Sequence, residues 1–186
     1  EEALLIHVPG RTPVIVTGPE NQDRAASAKL DVEVGLYPPL GLMGQDRTRT
    51  PPLADLLAGY GLKAGQKIGL VGWKYFGAFE TATPDDWFDM PAYIVDTLRI
   101  LVGPGGRLAN ATSILMDTLK GLRAINEIDQ LAQLEFGAVI ASEAVKRLVF
   151  GVRPGMREYE AASLMKLNGM QHSCHTMLST GARASG

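Results

Sequence analysis

One stretch constrains this chain more than any other. Residues 127–149 run without a proline and place Ile128, Leu131, Ala132, Ala138, Val139, Val145, Leu148 and Val149 on one stripe at helical spacing. That spacing predicts a helix of roughly six turns at 3.6 residues each. Gly151-Val152-Arg153-Pro154-Gly155 ends it, and residues 156–167 predict a second helix. Asn168-Gly169 reads as a turn and residues 170–179 as a strand.

Upstream the chain is cut into shorter pieces. Residues 3–8 and 13–17 are apolar, branched runs separated by Pro9-Gly10, the signature of a hairpin. Asn21 is placed to cap a short helix reaching about residue 29. Residues 31–37 alternate Val32, Val34 and Leu36 against Asp31, Glu33 and Gly35, a strand with one polar face. After a polar loop, Pro51-Pro52 opens a helix with Leu53, Leu56, Leu57 and Tyr60 on one side and Gly61 at its end. Ile68-Gly69-Leu70-Val71 reads as a buried strand. Residues 91–101 have helical spacing at Tyr93, Ile94, Leu98 and Leu101, and Gly103-Pro104-Gly105-Gly106 breaks them off. A strand over 107–113 and a helix over 114–122 complete this part. The change of pattern places a domain boundary near Arg123, giving units 1–123 and 124–186.

The composition fits an ordinary globular protein: 46% hydrophobic, 20% charged, with eighteen basic and twenty acidic residues. No basic block points to nucleic acid. The apolar run over 93–102 is interrupted by Asp96 and Arg99, so no segment is expected to span a bilayer. Glu1-Glu2-Ala3-Leu4-Leu5-Ile6 lacks the basic start and small-residue cleavage site of a signal peptide. A single cysteine, Cys174, allows no internal disulfide and suits a reducing, cytoplasmic setting. The abrupt start at Glu1 and end at Ala184-Ser185-Gly186 are expected to be cuts through structure.

Three local patterns carry a family resemblance. Leu122-Arg123-Ala124-Ile125-Asn126-Glu127-Ile128 is similar to the opening of the pita-bread domain shared by creatinase, prolidase, Xaa-Pro aminopeptidase and methionine aminopeptidase. Val152-Arg153-Pro154-Gly155-Met156-Arg157-Glu158-Tyr159-Glu160 resembles the link between that family's first two helices, with Arg157 where threonine is commoner. His175-Thr176-Met177-Leu178-Ser179-Thr180-Gly181 resembles its strand ending in Ser-Gly or Thr-Gly. The order of elements upstream resembles the creatinase-type N-terminal α/β domain with its mixed sheet, lacking the family's usual first strand and helix before Glu1. The resemblance implies an α/β domain followed by the first helices and strand of a pita-bread α+β domain. It further implies a metallopeptidase parent that hydrolyses Xaa-Pro peptides with water activated by a divalent metal pair (Mn, Co or Zn). A homodimer is implied too. The five implied ligands, two Asp, one His and two Glu, fall downstream of Gly181. No catalytic or metal-ligating residue is therefore carried onto this chain, which is expected to be inactive alone. A homologue that binds peptide or protein without cleaving it, and a creatinase-like amidinohydrolase, are the alternatives.

Few residues invite a chemical role. His172, Cys174 and His175 are metal-ligand types, but strand alternation would turn 172 and 174 away from 175. His175 remains a candidate for lining the substrate cleft, since the resemblance sets this strand at its edge. Gly69, Gly72 and Gly77 match no phosphate-binding spacing and read as packing and turn residues. Trp73, Tyr75, Phe76, Trp87 and Phe88 read first as core or interface packing, second as a dimer contact or cleft wall. Asp85-Asp86, beside Pro84, reads as a turn cap.

Overall fold

A computed structural model describes residues 2–42, 44, 46–167, 169–170, 174 and 176–179. The two branched-chain runs at its start pair with each other. β1 (Ala3–Ile6) and β2 (Val14–Thr17) are antiparallel, Ala3 opposite Thr17 and Ile6 opposite Val14. β3 (Glu33–Leu36) lies parallel to β2 on its other side, Val14 opposite Glu33. This three-stranded mixed sheet has β2 at its centre, and there Val14, Val16 and Thr17 are buried. Between β2 and β3 runs a 3-10 turn, Pro19–Asn21, then α1 (Gln22–Ala26). The helix is shorter than the spacing predicts. Asn21 occupies the cap position, yet its side chain makes no capping bond, so the helix start lacks that anchor. The predicted faces of β3 also differ. Gly35 is buried and Leu36 exposed, because the Tyr60 hydroxyl fills the space above Gly35 where a Cβ would stand.

α2 (Leu53–Gly59) follows the Pro-Pro pair and buries Leu57 completely. β4 (Lys67–Leu70) and β5 (Arg107–Asn110) are parallel, Lys67 opposite Arg107, joined through α3 (Ala92–Val102). Leu57, Leu62, Leu70, Ile94, Val95, Leu98, Val102 and Leu108 form one core cluster. Each such side chain contributes roughly 1.5–3 kcal/mol when fully buried. On α3 the buried stripe is Ile94, Val95, Leu98 and Val102; Tyr93 stays exposed and its hydroxyl donates to Glu2. β4 was expected to be buried throughout. Only Leu70 is, because among the described residues β4 pairs with β5 alone. The predicted helix over 114–122 contracts to α4 (Ser113–Met116). The Asp117 carboxylate accepts from the amides of Leu119 (2.9 Å) and Lys120 (2.8 Å), competing with further helical bonds. The result is a mixed α/β unit with small sheets, ending at Ala124.

Residues 125–186 form a second unit. α5 (Ile128–Gly151) is a single helix of 24 residues, its first turn tied by a bond from the Glu127 amide to Gln130 Oε1 at 2.9 Å. Its apolar stripe is largely uncovered: Ile128 is 81% exposed, and Leu131, Val139, Val145 and Val149 are exposed too. Ala144 is buried. The Pro154-Gly155 link leads to α6 (Glu158–Ser163), shorter than the predicted 156–167. Leu164 packs against Gly151, and the Arg147 guanidinium donates to the Met165 carbonyl at 3.2 Å. The strand expected over 170–179 is absent among the described residues, which include Met170, Cys174 and residues 176–179. A strand needs a neighbouring edge, and the described residues of this unit offer none. Gln171, His172, Ser173, His175 and Thr180 lie outside the described residues.

Candidate functional site

β4 and β5 run in the same direction, so their carboxyl ends, Leu70 and Asn110, open on one edge. In open α/β sheets ligands bind outside the carboxyl ends of the strands. The loop that leaves β4 here is held by polar groups from β5 and the turn after it. Asn110 Nδ2 donates to the carbonyls of Trp87 (2.7 Å) and Lys74 (3.1 Å), while its Oδ1 accepts from the Thr112 amide at 2.9 Å. Thr112 is itself buried, and its hydroxyl accepts from the Gly72 amide at 3.0 Å. The Asp89 carboxylate accepts from the Trp73 amide at 3.2 Å. Gly72 is required at this point, since a Cβ there would overlap the Asp89 carbonyl. One asparagine therefore ties both ends of the loop to the sheet through main-chain groups.

Because the backbone is tied, the rings are free to face solvent. Trp73 is 74% exposed and Phe79 92%, with Tyr75 and Trp87 exposed beside them. Phe76 meets Trp87 edge-on, centroids 5.5 Å apart at 72°. The Arg123 guanidinium lies 5.9 Å above the Trp73 ring, within cation–π range. Of the five aromatics expected in core or interface packing, Phe88 packs against the core, with Arg99 5.8 Å above its ring. Trp73, Tyr75 and Trp87 belong to a surface. Clustered exposed aromatics of this kind mark interaction sites.

Asp86 lies in the 3-10 turn Pro84–Asp86 and stands 3.9 Å from Arg107 rather than forming a carboxylate pair. Gly77 lies against the Phe79 ring and Gly69 against Ala111, so both are packing positions. Cys174 is an exposed free thiol. His175, the cleft-lining candidate, and His172 lie outside the described residues. Among the described residues no group of three His, Cys, Asp or Glu could hold a metal ion, so their donor set does not fit a metal pair. No described helix is long and apolar enough to cross a membrane. Sequence reasoning missed Phe79, Asp89, Asn110, Thr112 and Arg123. The Asn-x-Thr spacing directly after a strand was the available signal, since such side chains bond nearby backbone amides.

No protein-family model matches the chain, and no curated protein matches it in sequence. Among solved structures it is similar to an Xaa-Pro dipeptidase from Bacillus anthracis, with a TM-score of 0.53 and 12% identity. The alignment covers 89% of this chain and 37% of that one, so the chain spans little more than a third of the dipeptidase. At this identity the likeness is one of fold: a mixed α/β arrangement with small mixed sheet, as in part of that enzyme.

Proposed function

We propose that this chain is the N-terminal domain and the opening helices of a metal-dependent aminopeptidase or dipeptidase acting on Xaa-Pro peptides. The observation that carries the reading is the fold likeness to an Xaa-Pro dipeptidase over 89% of the chain. The resemblance of Val152-Arg153-Pro154-Gly155-Met156 to the family's helix link supports it from a different direction. The uncovered stripe of α5 is in keeping with a helix that a larger pita-bread domain would cover. The divalent pair (Mn, Co or Zn) would be held by residues beyond this chain, and no hydrolytic step is assigned to any residue described. The role left to this part is recognition. The rings of Trp73, Phe79 and Trp87 would contribute a cleft wall or a homodimer contact, aromatic residues being favoured at such interfaces. The single cysteine suits a cytoplasmic enzyme.

The test is made on a longer protein containing this chain. With added Mn, Co or Zn it is expected to release the N-terminal residue of an Xaa-Pro peptide, and chelation is expected to abolish release. A metal-free, inert protein that still binds such peptides would replace this reading with that of a non-catalytic relative. Cleavage of creatine instead would make it an amidinohydrolase.

A further inference from the structure

We infer a second binding site in the first unit, a pocket that takes a small zwitterion with an aliphatic side chain, such as a free branched α-amino acid. A cavity of about 380 Å³ lies between the β1–β2 hairpin, β3 and the end of α2. That is near the small end of ligand pockets, which run roughly 300–1,000 Å³. Ile6, Val8 and Val14 supply apolar walls; Arg11, Glu33 and Tyr60 supply the polar ones.

Two glycines shape it. Gly61, at φ +99, leaves room for the Arg11 guanidinium, whose Nη1 stands 2.6 Å from where a Cβ would be. Gly35 leaves room for the Tyr60 hydroxyl. Glu33 is close enough that its charge, after burial, raises the Tyr60 phenol's pKa. Among the described residues neither Arg11 nor Glu33 forms an ion pair, so both charges remain available to a ligand. One cation and one anion in the same lining select against simple anions, which Glu33 repels, and simple cations, which Arg11 repels. A zwitterion satisfies both. Its carboxylate can take the guanidinium fork, its ammonium Glu33, and its side chain the Ile6–Val8–Val14 wall. The inference does not depend on the peptidase reading, since none of these residues carries a role in it.

The test is titration of the 186-residue chain with L-leucine, followed by amide and methyl NMR shifts. Saturable shifts at Ile6, Val8, Val14 and Tyr60 are expected, with a dissociation constant on the order of 1 mM. N-acetyl-L-leucine and L-leucinamide, each lacking one charge, are expected to bind roughly tenfold more weakly or worse, and so is glycine. The exposed-residue variants Arg11→Gln and Glu33→Gln are each expected to lose about tenfold while keeping the native spectrum. The blocked ligands leave the protein unaltered, so their result stands whatever the variants do to folding. No saturable shift up to roughly 50 mM, shifts confined to other residues, or equal binding of the blocked ligands would overturn the assignment.

Discussion

Replacing Asn110 with alanine is the sharpest test of how the aromatic loop is held. The substitution removes three bonds: two from Nδ2 to the Trp87 and Lys74 carbonyls and one to Oδ1 from the Thr112 amide. Each such bond contributes roughly 0.5–1.5 kcal/mol net. The site is only partly buried, so water can reach the freed carbonyls and the low end of that range applies to two of the three. The expected loss is about 2 kcal/mol. Both tryptophans of the chain, Trp73 and Trp87, sit in this loop, so emission reports on it and on no other segment. Urea unfolding followed by tryptophan emission should show the midpoint falling by about 1 M at an unchanged slope, for slopes of roughly 1–3 kcal/mol/M. Asn110→Asp keeps the acceptor for Thr112 but sets a carboxylate oxygen against the Trp87 and Lys74 carbonyls, and should lose at least as much as the alanine variant. An Asn110→Ala protein within about 0.3 kcal/mol of the parent, with the same emission, would refute the clamp.

Two further outcomes are expected. Arg157 sits at the cap of α6 with extended backbone, but a guanidinium cannot accept from the Glu160 amide; only the reciprocal bond from the Arg157 amide to Glu160 Oε2, at 2.8 Å, is made. Arg157→Ser should strengthen this helix start by about 1 kcal/mol, read as slower exchange of the Glu160 amide. The amides of Leu119 and Lys120 hold the Asp117 carboxyl below its ordinary pKa. Its contribution is therefore present above the unfolded value, near roughly 4, and is lost as pH falls through the lower folded one. Exchange-corrected protection of those two amides should drop in acid, and Asp117→Asn should remove the drop.

What the sequence made legible was local. Pro9-Gly10 and the two apolar runs beside it read correctly as a hairpin, and Pro51-Pro52, Gly61 and Gly103 bounded α2 and α3. Helix α5 followed from spacing alone. Beyond that hairpin the strand partners did not follow, because β2–β3 and β4–β5 pair across long connections that leave no mark on either run. The faces misread for the same reason. Gly35 is inside because a ring from α2 arrives there, and Val95 rather than Tyr93 faces the core because of where β4 and β5 lie. The aromatic run looked like core material; an asparagine far along the chain decides that it is not. His175, outside the described residues, is proposed to line the cleft.

The surface made by Trp73, Phe79, Trp87 and Arg123 has no existence apart from the closed parallel pair. Gly72 and Thr112 are 40 positions apart in sequence, and they become neighbours only after α3 has carried the chain back beside its starting strand. A peptide copied from residues 71–91 would hold the same rings without their arrangement. Whatever recognises this face thus recognises a folded domain, and unfolding of the ladder would silence it before a single aromatic residue had changed.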